Sequence, residues 1–331
     1  MLFKSMLAVL LVVGLSCGKA DEKNLESPPV TPPSPAPVLP TPPVVNCLKK
    51  TSNPSADLHA AILENDVNCA RDALKRGADR EVRDSHNWTP LHSAVKLGNI
   101  ELVKLMLEWK ADVNADRVSR NEASTPLTIA IHSKNLPLIG ILIDGGASLT
   151  QQNLSGWLPL HSAVLTDDTG VVKLLLTRGA EVDAHTQDVQ RGLRRPASHI
   201  AASYGKTEIL RTLVAHHADL DERDGYGDSI LHAGARQGQG QISSLKFIMK
   251  NAPYLLNSRN SRKETPLHGA VLIEGNAEAI QLLLEMGANP LIKESGVLTA
   301  LDQSENKGYE QLIREYLPKV KDTNRSTEPK R

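Results

Sequence analysis

Apolar and polar positions recur in the same order about every 33 to 38 residues along most of this chain. The clearest copy is Trp88 to Asn114, which reads WTPLHSAVKLGNIELVKLMLEWKADVN. Its second half places Leu102, Leu105 and Leu107 in an apolar band, and the band is too large for one copy to bury alone. The pattern therefore predicts two short helices per copy, with neighbouring copies stacked on one another.

The core of this copy returns twice in nearly the same letters and five times in weaker form. The strong copies read LPLHSA from Leu158 and TPLHGA from Thr265, and the weaker ones begin at Ala56, Thr125, Pro196, Ser229 and Thr299. A recurring T-P-L-H-x-A in a unit of about 33 residues resembles the ankyrin repeat. The resemblance runs from Cys47 to Leu317. It implies an all-α fold, an ankyrin-repeat solenoid of about eight helix-turn-helix repeats with hairpin-like fingers.

Each position of the motif has a physical reason. Thr89 can cap the first helix with its hydroxyl, and Pro90 fits the first helical position, where no N–H donor is needed. Small alanines such as Ala94 let the helices approach closely. Glycines after the second helix supply a left-handed cap at Gly77, Gly146, Gly179 and Gly287.

The repeats are predicted to span 55–87, 88–123, 124–156, 157–194, 195–227, 228–263, 264–297 and 298–317. Repeat three departs from the pattern at Thr128 and Pro137, and repeat five begins at Pro196 without the Thr-Pro pair. The last repeat is rich in charged residues, as a polar terminal cap should be.

Residues 1–16 are predicted to form a signal peptide, because Lys4 precedes an apolar run that is too short to span a bilayer. The box Gly14-Leu15-Ser16-Cys17 resembles a bacterial lipoprotein cleavage site, with Cys17 as the lipidated residue. Ordinary signal-peptide cleavage nearby is the alternative. If the lipid is attached, the absence of aspartate after Cys17 favours the outer membrane, facing the periplasm.

The remaining segments flank the repeats. Residues 17–46 are proline-rich and predict a lipid-anchored, semi-rigid linker. Residues 47–317 form the predicted ankyrin-repeat domain, and residues 318–331 are charged and predict a disordered tail. Cys47 and Cys69 can form a disulfide in an oxidising compartment, or they are two unrelated thiols.

The composition and the absence of certain motifs exclude several classes of function. The 331 residues carry 38 basic and 38 acidic side chains, so the chain has no excess positive charge that would indicate binding to nucleic acid.

Six histidines recur at the same position of the repeat, and their successive side chains should lie about 10 Å apart, which is too far for them to share one metal ion. They are His59, His92, His161, His199, His232 and His268. The resemblance implies that they bond backbone groups instead. Motifs of the common catalytic and nucleotide-binding classes are absent. We expect a monomeric protein that is not an enzyme and uses no metal and no cofactor.

In ankyrin proteins the partner usually contacts the fingertips and the exposed side of the first helix. Transferred by position, the finger residues are Trp88, Ser124, Trp157, Arg195, Asp228 and Glu264, and exposed first-helix positions include Leu97, Leu165 and Arg236. Tyr204 and Tyr226 lie nearby, in a chain with only 3% aromatic residues. Aromatic residues often anchor interfaces, which favours a binding role. Alternatively, both tryptophans only cover neighbouring fingers.

The finger between repeats four and five is the longest and contains Arg191, Arg194 and Arg195. This basic cluster can bind carboxylates or phosphates of a partner, or it is a solvated loop.

The favoured hypothesis is an exported scaffold, tethered to the membrane only through its lipid, that binds a protein in the bacterial envelope as an inhibitor or immunity protein for an exported enzyme. The alternatives are a secreted effector that engages a host protein and, third, an enzyme.

Overall fold

The computed structural model describes residues 47, 51–118, 123–153, 155–187, 194–236, 242–295, 298–305 and 308–317. Within them the chain forms eight successive helix pairs. The first helix of each pair is α1 Pro54–Leu63, α3 Pro90–Leu97, α5 Pro126–His132, α7 Pro159–Leu165, α9 Ala197–Ser203, α11 Ile230–Ala235, α13 Pro266–Val271 and α15 Ala300–Glu305. The second is α2 Val67–Lys75, α4 Ile100–Glu108, α6 Leu136–Asp144, α8 Thr169–Thr177, α10 Thr207–Ala215, α12 Ile242–Asn251, α14 Ala277–Glu285 and α16 Glu310–Arg314.

The helix pairs stack in two layers. Each first helix packs on the first helices of the neighbouring repeats, and each second helix packs on the neighbouring second helices. A 3-10 turn, Pro253–Leu255, follows α12. The all-α solenoid predicted from the repeat is therefore confirmed, and each first helix begins within two residues of its predicted repeat boundary.

Fingers connect each pair to the next. Two contain short antiparallel strands, β1 Arg117–Val118 with β2 Ala123–Ser124, and β3 Lys293–Glu294 with β4 Leu298–Thr299. Two more have single bridges, His185 to Pro196 and Arg223 to Ser229. The predicted hairpin-like shape of the fingers is thus confirmed for these four connections.

The core fills the space between the two layers with aliphatic side chains. The small residue of the motif is an alanine at most 4% exposed in six repeats, namely Ala61, Ala94, Ala130, Ala163, Ala201 and Ala270. A larger side chain there would push neighbouring first helices apart, because protein interiors are close-packed. Leucines, isoleucines and valines of the second helices complete the apolar layer.

The predicted caps are present. The Thr89 hydroxyl accepts the His92 backbone N–H, and the Thr89 N–H donates to the ring Nδ1 of His92, so both groups at the helix start are satisfied. Gly77, Gly146, Gly179 and Gly287 all have φ between +87° and +95°, the left-handed conformation that ends the second helix.

The departures in repeats three and five have local solutions. In repeat three the hydroxyl of Thr128 donates to the Thr125 carbonyl at 2.8 Å, in the place where other repeats use histidine. Pro137 occupies the first turn of α6, where its missing N–H has no intrahelical acceptor. Repeat five begins α9 directly after Pro196, without a side-chain cap.

A disulfide joins Cys47 to Cys69, with Cα atoms 5.5 Å apart, and holds the entering chain against α2. Beside it, the Asp57 carboxylate accepts the hydroxyl of Thr51 at 2.7 Å and the guanidinium of Arg76 at 2.7 Å. These bonds hold the pKa of Asp57 below its usual value. The first repeat, which has no repeat before it, is thereby closed by covalent and polar contacts.

Several sequence predictions lie outside the described residues. They are the signal peptide 1–16, Cys17 with the linker 17–46, Arg191, and the tail 318–331. None of the helices in the described part of the chain combines the length and apolar character needed to cross a membrane.

Candidate functional site

The candidate site is the surface made by the fingers together with the exposed side of the first helices, which we call the finger face. Four fingertips share one turn, in which an Asp or Asn side chain accepts the backbone N–H groups two and four residues ahead. At Asp224 the acceptor distances are 2.8 Å from Tyr226 and 3.0 Å from Asp228. The same turn is built by Asp84, Asn153 and Asn260. These local bonds fix the fingertip backbone before any partner arrives.

Neighbouring fingers are also joined to each other. The Gly225 N–H donates to the Arg194 carbonyl at 2.9 Å, and the Ser261 N–H donates to the Tyr226 carbonyl at 3.1 Å. The three fingers that connect repeats four to seven therefore form a bonded row. A row fixed in this way loses little conformational entropy when it binds a partner.

In five repeats a histidine links the first helix to the next finger. The ring Nε2 contacts a backbone carbonyl of the following finger at 2.9 to 3.1 Å in five repeats, through the pairs His59–Val82, His92–Ser124, His161–Ala184, His199–Asp228 and His232–Glu264. Burial lowers the pKa of His161, His199 and His232 to about 4. The predicted structural role of the histidine column is confirmed for these five residues.

Large apolar side chains line the exposed end of the first helices. Five of them, at positions 63, 97, 165, 204 and 272, are between 40% and 68% exposed, and they are Leu63, Leu97, Leu165, Tyr204 and Leu272. They belong to repeats one, two, four, five and seven. Exposed apolar side chains therefore recur at the ends of the first helices in five of the eight described repeats.

The aromatic residues singled out in the sequence fall into two groups. Tyr204 and Tyr226 are exposed, at 50% and 41%. Trp88 and Trp157 are half-buried, and each indole lies edge-on to the histidine four residues later, with ring centroids 6.2 and 6.3 Å apart. The tryptophans therefore contribute to finger packing and leave only part of each ring available to a partner.

The predicted basic finger is only partly described. Arg194 is exposed, and Arg195 is half-buried with its Nε 3.8 Å from the Asp224 carboxylate. Tyr226 follows in the next finger, where its ring lies 5.8 Å from the guanidinium carbon of Arg262. The structure thus places Arg194, Arg195 and Tyr226 in one row of neighbouring fingers.

Two finger residues that the sequence placed at the surface are buried. Asp228 and Glu264 are 1% and 6% exposed, so this finger position does not lie at the surface before α11 and α13. Both carboxylates bind the guanidinium of Arg236, and the side-chain amide of Asn260 donates to Asp228 at 2.7 Å and to Glu264 at 2.8 Å. A buried carboxylate needs such partners, and Arg236 and Asn260 supply them.

Sequence reasoning also missed Leu63 and Leu272. Leu63 ends α1 and Leu272 follows α13, and both occupy the same position of the repeat as Leu165. Extending that column to the first and seventh repeats would have found them. In the described part of the chain, no three His, Cys, Asp or Glu side chains are arranged to hold a metal ion.

The comparisons with known proteins agree with the architecture. The family model "Ankyrin repeats (3 copies)" matches residues 42–117, 115–186 and 198–294, which is most of the chain. The chain belongs to the ankyrin-repeat family. Ankyrin repeats are protein-interaction modules, and this ankyrin-repeat chain is accordingly a protein-binding scaffold.

Individual relatives are large proteins that contain a similar stretch. The chain is 27% identical over 238 residues to the transient receptor potential cation channel subfamily A member 1 of Homo sapiens, covering 70% of this chain and 21% of that protein. It is 29% identical over 236 residues to inversin of Canis lupus familiaris, again covering 70% and 21%. Against the B-cell lymphoma 3 protein homolog of Mus musculus it is 29% identical over 220 residues, covering 63% and 46%. The ankyrin-repeat chain therefore spans less than half of each relative's length.

Proposed function

We propose that the finger face of this ankyrin array binds another protein, with the exposed apolar row at the ends of the first helices as its centre. The observation that carries the proposal is that five of the eight repeats expose a large apolar side chain at one of two adjacent positions. Leu63, Leu165 and Leu272 lie four residues after the histidine of their repeat, and Leu97 and Tyr204 lie five residues after it. Each exposed leucine or tyrosine that a partner covers contributes about 1.5 to 3 kcal/mol of transfer free energy at most.

The rigidity of the fingers supports the same proposal. The fingertip turns and the bonds between neighbouring fingers fix the surface in the unbound state. Binding then orders few groups on this side, so more of the contact energy remains as affinity. A scaffold of this kind needs no catalytic group, and its specificity depends on side chains that vary from repeat to repeat.

We place this binding in the cell envelope as part of the same proposal. The short apolar run before the Ser16-Cys17 box supports export with a lipid anchor on Cys17, and the Cys47–Cys69 disulfide fits an oxidising compartment. An anchored binding scaffold in the envelope suits an inhibitor or immunity protein for an exported enzyme.

Affinity purification of the full chain from its native envelope tests the binding proposal. We expect Leu97→Asp with Leu165→Asp to abolish recovery of the partner, because two carboxylates would replace apolar contacts. The matched control is Leu136→Asp with Met286→Asp, since these side chains are similarly exposed, at 39% and 49%, but Leu136 begins α6 and Met286 directly follows α14, both second helices. Unchanged recovery with the first pair would remove the finger face as the binding surface.

Mass spectrometry of the envelope fraction tests the location separately. A diacylglycerol-modified Cys17 at the mature N-terminus is the expected product. A soluble mature chain that begins elsewhere would refute the anchor and leave the binding proposal standing. If affinity purification recovers a host protein instead of an envelope protein, the chain is a secreted effector.

A further inference from the structure

The ion pairs of the finger face in repeats five to seven share an asymmetry of exposure. In each pair the carboxylate is buried and the guanidinium reaches the surface. Asp224, Asp228 and Glu264 have side chains that are 4%, 2% and 7% exposed, whereas those of Arg195, Arg236 and Arg262 are 37%, 33% and 69% exposed. The arginine side chains are therefore exposed to solvent at this part of the finger face, and the carboxylates are buried beneath them.

Three ion pairs on the surface of the second helices show the opposite arrangement. Arg178 is 36% exposed against 68% for Asp144, Arg71 is 42% exposed against 64% for Glu108, and Arg211 is 54% exposed against 76% for Glu208. Exposed acids of this kind are usual on a solvated helix surface. One described pair outside the finger face, Arg76 with Asp57 in repeat one, also has a buried acid, so buried acids are common to these three finger-face pairs without being exclusive to them.

Arg236 is held most firmly. Its guanidinium bridges Asp228 of one finger and Glu264 of the next, and its aliphatic stem lies over Gly269 of α13. A methyl group at Gly269 would stand 3.1 Å from both Cγ and Nε of Arg236, so the glycine leaves room for this side chain. Arg236 is accordingly fixed in one orientation, with a third of its side chain still exposed.

Further basic groups extend the same surface. Arg194 is exposed one residue before Arg195, and Lys263 is exposed one residue after Arg262. We call Arg194, Arg195, Arg236 and Arg262 the arginine strip. Tyr204 and Tyr226 are also exposed on the finger face of these repeats. Arginine and tyrosine are the residue types most often responsible for binding energy at interfaces.

Acidic groups near the strip limit its extent. Asp219, Asp221 and Glu222 lie at the base of the finger between repeats five and six, and Glu222 pairs with His185 at 3.3 Å. They would repel an acidic partner at that base. The surface that favours a negative charge is therefore confined to the fingertips and the first-helix side.

We infer that the arginine strip binds an acidic segment of the partner protein, whose Asp or Glu carboxylates meet the exposed guanidinium groups. This inference rests on the proposed function and adds the chemistry of the partner. Arginine presents N–H groups in a planar fork that matches a carboxylate, and buried acids that hold the fork in place reduce the entropy lost on binding. The leucines of repeats one, two and four then receive an apolar stretch next to the acidic segment.

The first experiment selects short random peptides, displayed on phage, against the immobilised full chain. We expect the selected peptides to be enriched in Asp and Glu. Arg194→Glu with Arg262→Glu should instead select Lys and Arg, because the charge of the strip is reversed. The control Lys104→Glu with Lys173→Glu makes the same change in net charge at exposed positions of the second helices, and it should still select acidic peptides.

The second experiment measures the affinity of one selected peptide. Arg194→Gln with Arg262→Gln should weaken binding at least about tenfold, and moderate salt should reduce the affinity of the wild type, since exposed charges are screened. Circular dichroism of each variant establishes that it is folded.

Four outcomes overturn the inference in different ways. If the wild type selects neutral peptides, the finger face binds peptides without preferring acidic ones. The inference would then fail, and the proposed function would stand. Selection of the same acidic peptides by the charge-reversed variant would place the acidic site elsewhere. A phosphoserine peptide that binds far more tightly than its glutamate form would assign the strip to phosphorylated partners. If no peptide is retained by the wild type, the proposed function fails as well.

Discussion

The ring Nε2 of His232 lies 2.9 Å from the backbone carbonyl of Glu264, and the two residues are 32 positions apart in the chain. The other ring nitrogen, Nδ1, lies 2.7 Å from the hydroxyl of Ser229 at the start of the same helix. With the hydroxyl donating to Nδ1, the Nε2–H donates to the carbonyl and the imidazole is neutral. One side chain thus caps its own helix and holds the finger of the next repeat.

The neutral histidines make the stability of the array dependent on pH. Burial lowers the pKa of His161, His199 and His232 from 6.5 to about 4, so between these values the unfolded chain binds protons that the native state does not. The free energy of unfolding should therefore fall as the pH falls from 7 towards 4, by at most about 3 kcal/mol for each histidine. Urea denaturation at a series of pH values measures it. A stability that is constant from pH 7 to pH 5 would contradict the neutral assignment.

The disulfide should stabilise the entry to the array. Cys47 and Cys69 are 22 residues apart, and closing a loop of this size stabilises a protein by about 3 kcal/mol in the chain-entropy model. Reducing agent should lower the melting temperature, and hydrogen exchange should increase first in α1 and α2. A Cys47→Ser, Cys69→Ser variant should show the lower melting temperature without reductant and respond to it no further. A melting temperature that ignores reductant in the wild type would argue against the bond in solution.

Two glycines provide a matched test of finger packing. Gly77 and Gly227 both have positive φ, at +87° and +72°, so alanine at either position incurs a left-handed penalty of about 1 kcal/mol. A methyl group at Gly77 meets nothing within 4 Å, whereas one at Gly227 would stand 2.6 Å from the Ser261 hydroxyl and 3.0 Å from the Ser261 backbone nitrogen. Gly227→Ala should therefore lose roughly 1 to 3 kcal/mol more than Gly77→Ala. Equal losses in denaturant titrations would mean that the neighbouring fingers do not make close contact.

The buried ion network should depend on all of its members. Arg236→Met leaves the carboxylates of Asp228 and Glu264 without their cation, and we expect a loss of about 2 to 3 kcal/mol, below the full cost for a buried pair because Arg236 is one-third exposed. Adding Asp228→Asn and Glu264→Gln to Arg236→Met should recover part of this loss, since the unpaired charges disappear. If the triple variant is less stable than Arg236→Met alone, another group stabilises the carboxylates of Asp228 and Glu264 more than Arg236 does.

The half-buried tryptophans distinguish packing from binding. Trp88→Ala with Trp157→Ala removes rings that lie against His92 and His161, so we expect both a lower melting temperature and weaker capture of the partner. Tyr204→Ala changes an exposed side chain and should weaken capture with little change in melting temperature. Melting temperatures and capture measured on the same samples separate the two effects. If the tryptophan variant has an unchanged melting temperature, the packing role is contradicted and both rings serve binding alone.

The sequence by itself determined the elements of this protein that depend on near neighbours or on strict recurrence. The Thr89 cap, the glycine after four of the second helices and the alanine in six of the first helices could be predicted, because a cap, a left-handed turn or a close helix contact favours the same residue type wherever it recurs. The period alone then required stacking, since a single copy cannot bury its leucines.

Only the tertiary structure decided which finger residues are exposed. Trp88, Arg195, Asp228 and Glu264 occupy one column of the repeat, yet Asp228 and Glu264 are buried and the other two are half-buried. The difference arises from Arg236 and Asn260, whose positions in neighbouring elements allow them to reach the two acids. Each acid has one partner near it in the chain and one 28 or 32 residues away. The periodic pattern contains no information about which side chains meet across the longer distance.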